Sequence, residues 1–318
     1  MNHLSLGIVD QAPPLSATQK TTQWPAPAKL NLFLYITGRQ ATGYHTLQTL
    51  FQFITLEDTL WITPRFDGQI NVDSNLLTIQ RKDNLIVKAA HLLQEASSTS
   101  QGASITIKKR IPLGSGLGGG SSNAATTLAA LNQIWRCHYS REQLQQLGVS
   151  LGADVPIFLY GQAAFAEGIG EKLQKASPTE RWYLVAYPDA GAISTAAIFS
   201  DPQLQRSTPW RTRQACLSEK PYHNDCESVV KKRSPAVAAA LEWLIKYQKS
   251  IGSEPSARLT GTGAAIFAEF ANQQAAETAQ YQAPTGVTTF VVCGINRSPL
   301  LLTLERYRSL SPSPTHYP

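Results

Sequence analysis

The sequence predicts an α+β protein of two domains, and three observations carry that expectation. Its 318 residues suffice for two domains of ordinary size, each with a buried core. The first half opens with short runs of alternating apolar residues, the pattern of paired strands, before helical periodicity appears near residue 85. A polar stretch over residues 174–181, with Ser177-Pro178 inside it, then separates that half from a mixed second one. The expected organisation is a flexible extension over 1–23, a first domain over 24–176, a second over 177–308 and a disordered tail over 309–318.

A hydrophobic share of 42% and a charged share of 16% fit a soluble globular chain rather than a disordered one. The net charge of +6 raises the question of nucleic acid, but the basic residues are scattered apart from 108–110 and 231–233. A small polyanionic ligand suits that excess equally well, and no nucleic-acid partner is expected. Cys137, Cys216, Cys226 and Cys293 have neither C-x-x-C spacing nor the histidine pattern of a zinc site, so they read as reduced thiols and no protein metal site is expected. No apolar run approaches a membrane span and the N-terminus lacks a signal-peptide pattern, which points to a cytoplasmic protein with no membrane partner and no evident obligate protein partner.

Residues 1–23 are polar and aperiodic. From Trp24, Pro25 and Pro27 deliver the chain in extended form into a strand with Leu30, Leu32, Leu34 and Ile36 on one face. Lys29 and Asn31 share the other face with Phe33 and Tyr35, which is either a solvated edge or a cleft into which the lysine reaches. Thr42-Gly43-Tyr44-His45 offers a glycine turn and two side chains suited to stacking and hydrogen bonding, or only the start of a strand continuing through Leu47, Phe51 and Phe53. Residues 57–62 read as a further strand, and Asp67-Gly68 as a hairpin turn into 69–72. Asp83 or Asn84 caps an amphipathic helix over 85–94, with His91 on its surface.

A strand over 103–111 leads into residues 111–125, where five glycines and three serines allow backbone N–H groups to converge as a phosphate cradle. The helix that follows carries Ala124, Leu128, Leu131 and Trp135 on one stripe, and its first turn, with Ser121 and Ser122, aims positive partial charge at the same anion. Gly114, Gly116 and Gly119 match G-x-G-x-x-G, yet β-rich sequence precedes them, which argues against a dinucleotide fold. A Walker A loop needs lysine where Gly120 stands. The cradle must therefore take any lysine from elsewhere.

Downstream, residues 143–147 give a short helical pattern, and Asp154, between Gly152 and Pro156, is either a helix N-cap or a carboxylate in a partly dry site for acid/base work. Residues 162–173 read as a strand and turn, 182–187 as a strand, 193–199 as a short helix or turn and 201–215 as a loop. Helices follow the cap at 224–227 and Ser234-Pro235, and residues 258–268 hold a second glycine turn before a strand.

Pro27-Ala28-Lys29-Leu30-Asn31-Leu32, Gly43-Tyr44-His45, the stretch from Pro112 to Ala124, Leu151-Gly152-Ala153-Asp154-Val155-Pro156 and Leu259-Thr260-Gly261-Thr262-Gly263 occur in the order seen in the GHMP kinase superfamily, which the chain resembles over about residues 24–305. The additional glycines of the loop and Gly43-Tyr44-His45 resemble the branch that phosphorylates 4-diphosphocytidyl-2-C-methyl-D-erythritol in the non-mevalonate isoprenoid route, rather than mevalonate, homoserine or galactose kinases. That resemblance implies a ribosomal-protein-S5-domain-2-like ATP-binding domain followed by a ferredoxin-like α/β-plait substrate domain. It implies Asp154 as general base with Lys29 beside it. It also implies an ATP site formed by Pro112, Gly114, Gly116, Leu117, Gly118, Gly119, Gly120, Ser121 and Ser122, with Asn84 and Lys109 on the adenine side.

For the substrate, the resemblance implies that Asn31 positions the acceptor, that Tyr44 and Phe199 sandwich a cytosine whose edge His45 bonds, and that Thr195, Thr262 and Gly263 complete the pocket. Mg²⁺ is expected with ATP, held chiefly by phosphates and water because residues 124–137 contain no acid. Two other classes stay open at this point: a different small-molecule kinase of the superfamily, and a non-catalytic nucleotide- or RNA-binding module.

Overall fold

The computed structural model describes residues 20–41, 43–74, 84–189 and 193–310. Of the leader expected over 1–23 and the tail expected over 309–318, residues 1–19 and 311–318 lie outside the described residues, as do Thr42 and Asp83, whereas Ser309 and Leu310 are not tail but the last residues of a helix.

The chain opens with two long antiparallel strands, β1 (Thr22–Arg39) and β2 (His45–Arg65). Thr22 and Gln23 already pair with Ile62 and Trp61, so the strand starts ahead of Trp24. The runs at 47–53 and 57–62 belong to one strand, because a register shift between Pro27 and Ala28 absorbs the surplus residues of β2 as a bulge. Next come β3 (Ile70–Ser74), α1 (Leu85–Ser97) and β4 (Gly102–Lys108). Asp67-Gly68 does not make the expected hairpin. β3 runs parallel to β4 with α1 as the crossover, and β4 takes the place beside β2 that the hairpin would have filled.

The helical part of the first half comprises α2 (Gly119–Ile134), α3 (Arg141–Val149) and α4 (Val155–Tyr160), followed by β5 (Ala164–Glu167) and β6 (Lys172–Lys175). The second half contains β7 (Trp182–Pro188), α5 (Thr195–Phe199), α6 (Arg213–Ser218), α7 (Glu227–Arg233) and α8 (Pro235–Ser250). It ends with β8 (Arg258–Leu259), β9 (Ile266–Phe270), α9 (Gln273–Tyr281), β10 (Val287–Ile295) and α10 (Pro299–Leu310). Among the described residues the strands form one ten-stranded sheet along the path β3-β4-β2-β10-β7-β9-β8, with β1 and β5 also on β2 and β6 on β5. β10 joins the halves: Val287 to Cys293 pair with β7, while Gly294 and Ile295 pair with Ile54 and Phe53 of β2.

Among the described residues three apolar clusters fill this frame. One lies between the first-half sheet and α1, α2 and α4, and the chain returns to it at the end through Leu300 and the Tyr307 ring, 5.2 Å from Trp24. α2 is buried almost all round from Ser122 to Asn132, well beyond the single expected stripe, because the sheet, α1, α4 and α10 enclose it. The second cluster belongs to β7, β9, α7, α8 and α9, and the third lies between the halves. No helix among the described residues is long and apolar enough to cross a membrane.

β1 departs from simple alternation in a way that shapes the site. A register shift between Asn31 and Leu34 reverses the faces, since one inserted residue turns every later side chain over. Leu30 and Leu32 therefore share the third cluster with Phe33 and Tyr35, while Leu34 and Ile36 enter the second. Lys29 and Asn31 thus precede Leu34 on one buried side.

The edge of β1 away from β2 bonds to loops. The Lys29 N–H donates to the Leu117 carbonyl (3.0 Å), that of Asn31 to Thr260 Oγ1 (2.9 Å), that of Leu34 to the His223 carbonyl (3.1 Å) and that of Ile36 to Asp225 Oδ2 (2.6 Å).

Gly102, buried at the start of β4, sits where a Cβ would run into the backbone nitrogen and oxygen of Gln69. The Gln69 backbone is held in place by the Ala103 N–H, which donates to its carbonyl (3.0 Å), so Gly102→Ala is expected to cost about 1–3 kcal/mol. Urea unfolding should show a lower midpoint at unchanged slope; an unaltered midpoint would contradict this packing.

Candidate active site

The β1 edge brings two glycine turns against each other. Ala265 N–H donates to the Ser115 carbonyl (2.9 Å) and Ala264 N–H to that of Gly114 (3.3 Å), so the turn before β9 is bonded to the loop before α2. Gly116, at φ +80°, is the point of closest approach: a Cβ there would lie 2.5 Å from the Thr260 carbonyl oxygen. Gly118, at φ +76°, is the N-cap of α2, where a Cβ would meet the Phe158 ring at 2.7 Å. Ser115 fits because its hydroxyl donates to the Pro112 carbonyl (2.8 Å). The first N–H groups of α2 have no intrahelical partner and, with Ser121, give this end of the site a set of donors suited to an anion.

Lys29 resolves the ambiguity over its strand face. It is 2% exposed, and its ammonium meets three acceptors: Asn31 Oδ1 (2.5 Å), the Gly116 carbonyl (3.0 Å) and Asp154 Oδ2 (3.3 Å). These come from its own strand, the glycine loop and the start of α4, and they match the three protons of an ammonium. Asn31 is oriented in turn, donating through Nδ2 to Thr49 Oγ1 (2.8 Å), whose hydroxyl donates to the Phe33 carbonyl (2.5 Å).

Asp154 combines its two sequence readings. It occupies the N-cap position of α4, with Pro156 in the first turn, but its side chain makes no capping bond. The carboxylate instead faces Lys29 and remains 37% exposed. A carboxylate held beside a buried ammonium, open to the cavity and next to an anion cradle, can accept a proton from a group placed between them.

The start of the glycine loop depends on a residue that sequence reasoning missed. Asp58, fully buried in β2, is ion-paired with Lys109 and accepts from the N–H groups of Arg110 (2.8 Å) and Ile111 (2.9 Å) and from Asn123 Nδ2 (2.9 Å). The signal available was an aspartate inside a strand pattern, where that residue type is depleted. Lys109 lines the cavity, yet its ammonium is engaged by Asp58 and by Asn123 Oδ1 (3.1 Å).

At the other end, Tyr44 is 63% exposed and lines the cavity. His45 begins β2 and also lines the cavity, its ring stacked on Phe199 at 5.0 Å between centroids. Burial, reinforced by the Arg206 and Arg39 guanidiniums, pushes the His45 imidazole below its ordinary range, so the ring is neutral near pH 7. Thr195 and Thr262 share a hydroxyl hydrogen bond of 2.8 Å across the second half.

One cavity of about 710 Å³ joins these groups. Lys29, Asn31, Tyr44, His45, Lys109, Pro112, Gly114, Gly116, Gly118, Gly119, Gly120, Ser121, Asp154, Thr195, Phe199 and Thr262 line it. Four expected site residues stand outside its lining. Leu117 is in the core and offers only its carbonyl to Lys29, and Ser122 is buried with its hydroxyl unpartnered among the described residues. Gly263 lies beside the Val230 and Leu259 side chains, and Asn84 spends its side chain on capping α1 at the Ile86 N–H (2.9 Å). Among the described residues no cluster of three His, Cys, Asp or Glu side chains is arranged for a metal.

Comparison with known proteins agrees with this layout. Residues 84–162 match the family described as GHMP kinases N terminal domain, and residues 213–286 the one described as GHMP kinases C terminal. A solved 4-(cytidine 5'-diphospho)-2C-methyl-D-erythritol kinase superposes with a TM-score of 0.70 at 29% identity, over 86% of this chain and 100% of that one. Methanococcus jannaschii mevalonate kinase (TM-score 0.61, 16% identity, 89% and 100% covered) and Cytophaga hutchinsonii homoserine kinase (0.59, 15%, 91% and 99%) share the fold.

Because Asp58 is a buried anion facing Lys109 and three further donors, Asp58→Ala is expected to lower stability by about 3–5 kcal/mol. Chemical denaturation reads this directly. A loss below about 1 kcal/mol, the scale of an exposed pair, would show that Asp58 does not anchor the loop.

Proposed function

The chain belongs to the GHMP kinase superfamily and is an ATP-dependent small-molecule kinase, and from that premise we propose that it transfers the γ-phosphoryl group of ATP to the 2-hydroxyl of 4-diphosphocytidyl-2-C-methyl-D-erythritol. The products are the 2-phosphate and ADP, and the step belongs to the non-mevalonate supply of isoprenoid precursors. The observation that carries this reading is the Lys29–Asp154 contact of 3.3 Å between the glycine loop and a second, aromatic-lined end of one cavity.

Phosphoryl transfer demands alignment and charge stabilisation more than covalent chemistry. The glycine loop and the α2 N-terminus hold the phosphates, with Pro112 and Leu113 on the nucleotide side. Asp154 accepts the proton of the attacking hydroxyl, and Lys29, 3.3 Å from that carboxylate, orients it while offsetting charge on the moving phosphoryl group. Asn31, held by Thr49, positions the acceptor. Tyr44 and Phe199 take the two faces of the cytosine, and the His45 edge supplies a hydrogen bond. ATP fits the donor set of the loop. Mg²⁺ bound with ATP would add positive charge at its phosphates; among the described residues Asp154, already facing Lys29, is the one acid of the cavity lining.

Coupled ADP release against a panel of acceptors tests the reading: turnover with the cytidyl substrate and none with mevalonate, homoserine or galactose is expected. Turnover with one of those three instead would move the chain to another branch. Asp154→Asn should lower kcat about 10²- to 10⁴-fold while ATP KM stays within about threefold, and near-normal kcat would remove Asp154 from the base role. Tyr44→Ala should raise the KM for the cytidyl substrate by roughly 5- to 100-fold, the value of one base stack, and leave ATP KM unchanged; equal effects on both would count against stacking.

A further inference from the structure

Arg206 does not line the cavity, and no part of the proposed chemistry uses it. It nevertheless touches both aromatic elements of the base-recognising end. Its Nε–H donates to His45 Nε2 (3.0 Å), one Nη2 proton donates to the Phe199 carbonyl (3.0 Å) and the other to the Asp201 carbonyl (2.6 Å), and Nη1 donates to the Leu204 carbonyl (3.1 Å). The guanidinium is thereby fixed by four acceptors in a half-buried position between the start of β2 and the end of α5.

A guanidinium has donors only. A histidine nitrogen that receives one of them must offer its lone pair, so the proton of the neutral ring sits on Nδ1. The charged groups that face His45 are Arg206 and, from the end of β1, Arg39, and both oppose a second proton on the ring. His45 is therefore a neutral ring with one N–H at a known atom. A base edge that presents an acceptor can bind it, whereas the opposite tautomer would set a lone pair against that acceptor.

We propose that Arg206 is a positioning residue for base recognition: through its Nε–H it holds His45 in the Nδ1–H tautomer, and through its Nη2 it holds the end of α5 so that Phe199 stacks beside that ring. The inference rests on the cytidyl reading above for its kinetic arm, and on geometry alone for its spectroscopic arm. Nothing is asked of Arg206 in the transfer step itself. Its removal should alter recognition of the substrate base and leave ATP handling intact.

The test uses Arg206→Met and Arg206→Gln. Methionine keeps the length and removes every donor. In glutamine the amide nitrogen is bonded to Cδ, as Nε is in arginine, so a donor to His45 survives while the fork to the carbonyls is lost. Ring ¹⁵N shifts of free protein at pH 8, assigned with His45→Asn, should show Nδ1–H for the parent and for Arg206→Gln, and a shift toward Nε2–H for Arg206→Met. In steady state, Arg206→Met should raise the KM for the cytidyl substrate about tenfold, the weight of one misdirected hydrogen bond, with kcat and ATP KM within about threefold; Arg206→Gln should recover most of that loss.

An unchanged tautomer in Arg206→Met overturns the proposal, and so does an equal rise in both KM values. Failure of Arg206→Gln to restore the Nδ1–H signal overturns it as well, and that variant keeps the question decidable if Arg206→Met loses its fold. Should the parent protein not phosphorylate the cytidyl substrate at all, the functional reading fails while the tautomer measurement still decides the role of Arg206.

Discussion

The structure depends on how the outer edge of β1 is satisfied. A strand paired on one side presents a row of N–H and C=O groups on the other, and water or a further strand usually takes them. Here the glycine loop, the second glycine turn and the segment at 223–225 take them in succession, through Leu117, Thr260, His223 and Asp225. Loops from both halves are thereby fixed along one line. Lys29 and Asn31, on the face that the Asn31/Leu34 shift leaves toward the cavity, are buried where those loops converge.

Burial of Lys29 has a further consequence. An ammonium removed from water must have acceptors for its protons, and Asn31, Gly116 and Asp154 provide them from three separate segments. Lys29 therefore positions as well as charges the site: any motion of α4 or of the glycine loop would leave a buried cation short of a partner. Asp58 does similar work at the start of the loop, gathering Lys109, Arg110, Ile111 and Asn123 on one carboxylate. The cradle has rigid ends, and its glycines are required where backbones meet, as at Gly116 against Thr260.

The parts that were legible in the sequence are those whose chemistry is local. Glycines between a strand pattern and a helix pattern identify a cradle, and the absence of a lysine within it directs attention to Lys29. Whether Asp154 caps or reacts was open, because the answer lies in Lys29, 125 positions earlier in the chain. Partner choice was illegible for the same reason. Asp67-Gly68 has hairpin chemistry, but β4 outcompetes β3 for β2 once α1 packs over the sheet. Alternation put Leu34 with Leu30, whereas a bulge set by β2 and by the loops on the free edge turned it over. Asp58 and Arg206 were missed because their partners are remote: Asn123 lies 65 residues from Asp58, and His45 lies 161 from Arg206.

In the proposed reaction the Lys29–Asp154 pair marks the place where the acceptor hydroxyl meets the phosphoryl group. The most direct measurement is a crystal structure with a non-hydrolysable ATP analogue and the cytidyl substrate bound together. The 2-hydroxyl is expected within about 2.6–3.2 Å of an Asp154 carboxylate oxygen, with the terminal phosphoryl group between the glycine loop and Lys29. A hydroxyl seated against another side chain, with Asp154 out of reach even through one water, would contradict it.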